Sequence, residues 1–186
     1  MLFRSRLPAA ARARAIGFLP QHFEPHWDLT VGDLVAIGAE RGDRLPKDAV
    51  DRAMASHELT ELRPRRWSTL SGGERARVLL AMVLVTDPPV LLADEPAAAL
   101  DIRHRLDVVE ALAHRGRSRL SIVVVHDLDL AFRYFDRVIL LDRGNVIADS
   151  APCDLVSDPR LDAVFGVRFE RLTTANGVLL RADRAA

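Results

Sequence analysis

The chain has 186 residues, 49% of them hydrophobic and 28% charged, which suits a soluble globular protein large enough to bury a core. Its formal net charge of zero argues against a nucleic-acid partner, and no apolar run reaches the length of a membrane span. A single cysteine, Cys153, excludes an internal disulfide and a cysteine metal cluster.

Met1 to Arg14 is rich in arginine and alanine, a composition shared with transit peptides. Ala15 to Leu19 is a short apolar run stopped by Pro20, the pattern of a strand and turn. Gln21 to Asp28 is polar and aromatic and reads as a loop. Val31 to Ile37 predicts a helix with Thr30 as its N-cap. After the charged loop Glu40 to Lys47, Asp48 to Leu62 predicts a second helix with Val50, Met54 and Leu59 on one side. Pro64 to Thr69 is a connection. Residues 29–67 therefore read as a small helical insert between the start of a core, 1–28, and its remainder, 68–186.

The helix expected after Gly73 is apolar on nearly every face, from Val78 to Val85, and Asp87-Pro88-Pro89 stops it. Val90 to Ala93 is a continuous apolar run, as in a central parallel strand. Asp101 is placed to cap a helix carrying Ile102, Leu106, Val109 and Leu112. Leu120 to Val125 reads as a second buried strand ending at His126, and Leu128 to Phe135 as a short helix. Val138 to Leu141 and Asn145 to Ala148, joined by Arg143-Gly144, predict a hairpin. Short helices near 152–156 and 159–165 follow, then a hairpin from Phe169 to Leu172 and Gly177 to Leu180.

Alternating apolar strands and helices imply an α/β fold, a parallel sheet flanked by helices. Such sheets bind ligands at the carboxyl ends of their strands, where Asp94, Glu95 and His126 fall. Leu70-Ser71-Gly72-Gly73-Glu74 is a glycine turn opening a helix. The pattern S-x-x-E is a capping box, and the same turn can present amides to an anion such as phosphate. Two carboxylates ending a buried strand suit Mg²⁺ binding and the orientation of an attacking water. His22, His26, His57, His104 and His114 have no metal-ligand spacing and are expected at the surface. Trp27 and Trp67 flank the insert and are expected to anchor it.

The Leu70–Glu74 turn followed by Val90-Leu91-Leu92-Ala93-Asp94-Glu95-Pro96 resembles the ATP-binding subunits of ABC transporters: a signature loop, then Walker B. The resemblance covers residues from about 5 to the tail. It implies a P-loop NTPase-type core with a helical subdomain. It assigns Ser71 and Gly73 to the γ-phosphate of an ATP shared with a second subunit, with Gly72 in the same nucleotide-binding turn, and Asp94 to Mg²⁺ through water. It makes Glu95 the general base or water-positioning group and His126 the switch histidine. Gln21, after Phe18-Leu19-Pro20, resembles the Q-loop glutamine that senses Mg²⁺ and the attacking water. Ala98-Ala99-Leu100-Asp101 resembles the D-loop, with Ala97 where Thr or Ser is common.

No G-x-x-x-x-G-K-[ST] occurs in the 186 residues, and the lone lysine, Lys47, has no glycine turn around it. The chain is therefore expected to start mid-domain, to lack ATPase activity by itself, and to have its P-loop encoded upstream. The resemblance points to importers of iron–siderophore, haem or cobalamin type. It implies permease subunits and a second ATP-binding subunit as partners, and a cytoplasmic site at the inner face of the membrane. Two other functions fit the motifs: a non-catalytic partner lending its signature loop, and a soluble ABC ATPase outside transport. The DNA-repair kind would need a long heptad insertion, and residues 29–67 are too short for one.

Overall fold

The computed structural model describes residues 8–98, 100–174 and 177–184. The chain forms two bodies, residues 1–124 and 125–186. The first carries a three-stranded parallel sheet, β1 (Ile16–Leu19), β2 (Val90–Asp94) and β3 (Leu120–Val124), in the order β1-β2-β3. The register pairs Leu19 with Ala93 and Asp94 with Val124, so all three strands end at one edge. The second body carries two antiparallel hairpins, β4 (Val138–Asp142) with β5 (Asn145–Ser150) and β6 (Val167–Thr174) with β7 (Gly177–Arg184).

The helices of the first body are α1 (Ala9–Ala15), α2 (Val31–Ala39), α3 (Ala49–Ser56), α4 (Gly72–Leu84) and α5 (Ile102–Gly116). Helix α1 forms from the arginine- and alanine-rich start, a composition with high helix propensity, which sequence reasoning left without an element. The second helix of the insert is shorter than Asp48–Leu62. It ends at Ser56, Glu58 takes a left-handed φ of 55°, and a 3₁₀ turn covers Thr60–Leu62.

Helix α2 packs closely on α4. A Cβ on Gly38 would lie 2.1 Å from the Met82 carbonyl oxygen, so glycine is needed for the approach. Arg41 then donates from Nη2 to the Met82 and Val83 carbonyls at 3.2 and 2.9 Å, satisfying acceptors near the C-terminal end of α4. Leu34, Val35, Met54, Val78, Val83, Leu91, Val109 and Leu112 fill the core of this body. The helical insert is sewn along its base: Val31 and Gly32 donate to the carbonyls of Arg65 and Arg63, and Trp67 donates to that of Leu29.

The sheet is buried on one face only. Leu19, Leu91 and Ala93 are covered, whereas Phe18, Leu120, Ile122 and Val124 are each about half exposed, at 54%, 52%, 50% and 49%. Leu120–Val124 is thus an edge strand and not the second buried strand its apolar run suggests. Trp67 is buried as expected, but Trp27 is exposed, its indole meeting only the His26 ring edge-on among the ring contacts found. His57 is half-buried and its imidazole is held below its ordinary pKa, chiefly by desolvation. It is not the surface residue expected.

The second body has α6 (Leu128–Tyr134), α7 (Pro152–Leu155) and α8 (Pro159–Phe165) around a small core of Leu140, Ala148, Leu155, Leu161 and Phe169. Asp162 accepts from the Phe169 N–H and from Arg171, which joins α8 to β6 and lowers its carboxyl pKa to about 2. Among the described residues no helix is long and apolar enough to cross a membrane.

Candidate functional site

The glycine turn is set by its cap. Ser71 leaves the helix in extended conformation, its Oγ accepts from the Glu74 N–H at 3.2 Å, and Glu74 Oε2 accepts from the Ser71 N–H at 2.7 Å. The capping box of the sequence pattern is therefore present. The Ser71 N–H, more than any other group, holds the Glu74 carboxyl below its ordinary pKa, and Arg65 pairs with that carboxylate at 3.0 Å. The negative charge at the head of α4 is thereby partly neutralised.

The cap does not exhaust the turn. A serine hydroxyl has one proton to donate besides its lone pairs. The Ser71 hydroxyl also helps hold the Glu74 carboxyl down, so it is engaged with its own cap, whereas among the described residues no acceptor takes the Gly72 or Gly73 N–H groups, the first two of α4. A Cβ on Gly73 would make only an ordinary 3.6 Å contact, with Leu100. Packing within this chain therefore does not demand glycine there. Two amides and a surface without side-chain bulk suit close approach by an anion.

Strand β2 is the central strand and carries Asp94 at its tip, half-buried. Glu95 follows, also half-buried, with a left-handed φ of 47° although it precedes Pro96, and its N–H donates to the Val124 carbonyl at 3.0 Å. A non-glycine residue in that region costs roughly 1–3 kcal/mol, and residues before proline disfavour it further. Strain at a carboxylate on the ligand-binding edge of a parallel sheet is a functional signal that composition and periodicity do not carry. Gln21 is exposed and lies two residues beyond β1, so it leaves the sheet at the edge where Asp94 sits.

Asp101 is the N-cap of α5, accepting from the His104 N–H at 3.0 Å and pairing with the His104 ring at 2.8 Å. The His104 backbone N–H is the main cause of its lowered carboxyl pKa. Ala98 and Leu100 are described; Ala99 of the same loop lies outside the described residues, as do Met1 to Leu7. His126 belongs to the second body, just before Asp127, which caps α6 through the Leu130 N–H at 3.2 Å. Gln21, Ser71–Gly73, Asp94, Glu95 and Asp101 belong to the first. Among the described residues no three His, Cys, Asp or Glu side chains converge as a metal-binding group.

The family model described as ABC transporter matches residues 5–98. The hemin import ATP-binding protein HmuV of Nocardia farcinica is 43% identical over 161 residues, 83% of this chain and 55% of that protein. The ferric enterobactin transport ATP-binding protein FepC of Escherichia coli is 36% identical over 165 residues, 84% of this chain and 61% of its own length. The cobalamin import ATP-binding protein BtuD of Halobacterium salinarum is 38% identical over 170 residues, 87% of this chain and 42% of its own. The chain thus spans between 42% and 61% of these curated relatives.

Among solved structures, a metal-chelate type ABC transporter in an inward-facing conformation shares the fold. Its TM-score is 0.77 over 92% of this chain and 72% of that one, at 22% identity. A dimeric ATP-binding cassette in a post-hydrolysis state, bound to ADP and Pi, has a TM-score of 0.69 at 25% identity, covering 79% of this chain and 68% of its own.

Proposed function

Because the chain belongs to the ABC transporter family, we propose that it is the signature-loop and Walker B portion of an ATP-binding subunit driving import of an iron complex, haem or cobalamin. The observation that carries this reading is the head of α4, where among the described residues the Gly72 and Gly73 amides have no acceptor and the Ser71 hydroxyl lies beside them. The names of the similar hemin, enterobactin and cobalamin import proteins support the class of cargo.

In this reading Ser71, Gly72 and Gly73 donate to γ-phosphate oxygens of an ATP held mainly by a second ATP-binding subunit. Positioning and charge neutralisation are most of phosphoryl-transfer catalysis. Glu95 orients the attacking water and takes up its proton, held at the strand end by the Val124 carbonyl and its constrained backbone. Asp94 would hold Mg²⁺ through water. A carboxylate, water and phosphate oxygens form the hard oxygen set that this ion prefers. When bound, Mg²⁺ supplies neutralisation of phosphate charge. Gln21 contacts the same water and ion, Asp101 orders the loop toward the second subunit, and the roles of these two and of His126 rest on the family resemblance. Permease subunits would hold the protein at the cytoplasmic face of the membrane.

The test is MgATP-dependent association of the 186-residue chain with a complete hemin-import ATP-binding subunit whose own catalytic glutamate is replaced by glutamine. We expect a mixed dimer with MgATP and none without nucleotide. Absence of association, with the complete subunit still dimerising with itself, would overturn the reading.

A further inference from the structure

The loop that follows Gln21 holds the glycine turn through one carboxylate. Glu24 Oε2 accepts from the Trp67 indole N–H at 2.7 Å, and its Oε1 accepts from Arg75 Nη1 at 3.1 Å. Trp67 lies four residues before Ser71 and Arg75 four after it, so one side chain grips both flanks of the turn. The cluster is further closed by its rings. The Arg75 guanidinium lies 5.1 Å from the Trp67 ring centroid, and Phe23 meets the same ring edge-on at 5.7 Å. Arg75 Nε is enclosed and has no acceptor, and Arg75 Nη2 reaches the Ser68 carbonyl only at 3.5 Å. Glu24 is therefore the carboxylate that anchors this guanidinium.

Asp28, in the same loop, accepts from the Ser68 N–H and hydroxyl at 2.9 Å each. The segment after Gln21 and the segment before Ser71 are thus joined at both ends. We propose that Glu24 is a positioning residue that couples the Gln21 loop to the Ser71–Gly73 turn, so that displacement of one carries the other with it. The proposal rests on the reading of that turn as a phosphate site.

The energetics favour an orienting role over a stabilising one. Glu24 is 71% exposed at its side chain, and an ion pair so exposed adds little to global stability. Trp67 is 4% exposed, and a buried indole N–H that loses its acceptor is costly where it stands. Removing Glu24 should therefore loosen the turn locally and leave the helical insert closed.

Hydrogen exchange of the 186-residue chain tests this. In Glu24→Ala, amides of residues 68–75 are expected to exchange about tenfold faster, as loss of a charge-assisted hydrogen bond implies, while residues 31–62 stay unchanged. In a Trp27→Phe background, where Trp67 is the sole indole, its emission should shift to the red. Glu24→Gln keeps an acceptor for the indole but loses the charge for Arg75. It should restore the emission and only part of the protection. Arg75→Ala should reproduce the faster exchange, with little added by Glu24→Ala on top. Unchanged exchange at 68–75 in Glu24→Ala, or equal acceleration across 31–62, would overturn the coupling. Should Glu24→Ala not fold, Glu24→Gln decides: faster exchange with unshifted emission supports the proposal, and unchanged exchange overturns it. The phosphate reading stands or falls separately, on the MgATP-dependent association above.

Discussion

Two helices of the first body begin with the same device and use it differently. Thr30 and Asp33 cap α2 as Ser71 and Glu74 cap α4, with reciprocal bonds in both. In α2 the Thr30 hydroxyl donates to Asp33 at 2.6 Å, and the first two amides, Val31 and Gly32, donate to carbonyls of residues 65 and 63. In α4 the hydroxyl is likewise engaged with its cap, but the amides of Gly72 and Gly73 have no acceptor among the described residues. One start is a structural joint; the other leaves its first two amides without an acceptor among the described residues. A capping box in a sequence therefore says nothing by itself about an anion site. What decides is whether the remaining donors of the first turn are used.

The strongest way to break the contrast is Ser71→Arg. A bulky cation in the turn should abolish MgATP-dependent association with the complete subunit while costing no more than the cap itself, about 1 kcal/mol in urea unfolding. Retained association would show that the head of α4 is as structural as that of α2. Next in size is Gly38→Ala, which tests the joint. The new methyl meets the Met82 carbonyl, and forcing α2 off α4 is expected to cost about 3 kcal/mol in urea unfolding. A change below about 0.5 kcal/mol would mean that the two helices are not held at this distance.

Gly32 and Gly73 occupy the same second position of their helices, so their alanine variants form a matched pair. In Gly73→Ala stability should hold within about 0.5 kcal/mol, since only Leu100 is met, at 3.6 Å, but association should weaken at least tenfold. In Gly32→Ala the methyl meets Arg63 Cγ at 3.1 Å, and a small loss of stability with intact association is expected. Interchanged outcomes would reverse the assignment of the two helix starts. The smallest effect is in acid. Asp33 is held below its ordinary pKa chiefly by the Thr30 hydroxyl, and Glu74 chiefly by the Ser71 N–H. A depressed carboxyl stabilises the fold above its unfolded pKa and ceases to do so as pH falls through the folded value. Both caps should therefore weaken below about pH 4, and circular dichroism of Thr30→Ala and Glu74→Gln should lose that part of the acid transition. An acid transition identical in all three proteins would show that neither cap titrates with folding.

Much of this was legible from the chain because the signals are local. Thr30, Ser71 and Asp101 are caps with the right residue types. Pro20 and Pro88-Pro89 delimit strand and helix, and the β2 run reads as central because it is apolar throughout. The place of Asp94 and Glu95 at the tip of β2 follows from the strand's end alone. What was not legible depends on pairings distant in sequence. Glu24 meets Trp67 and Arg75 across 43 and 51 residues, and nothing in the composition of its loop announces it. The β3 run is as apolar as that of β2, yet it is an edge strand with one face uncovered, because burial is decided by neighbours and not by the strand. The left-handed backbone at Glu95 is likewise invisible to periodicity. Trp27 and Trp67 look equivalent as aromatic flanks, but only Trp67 is buried, with Glu24 accepting from its indole N–H.

The uncovered face of the sheet has a consequence for how the chain behaves in solvent. Phe18, Leu120, Ile122 and Val124 line up across β1 and β3 and offer water an apolar surface. Contact between such surfaces weakens on cooling and strengthens with sulfate or phosphate salts, because its driving force near room temperature is largely the entropy of water. Solutions of the chain should therefore scatter light more strongly when warmed to 30 °C or salted with ammonium sulfate, and clear again when chilled, without any change in fold.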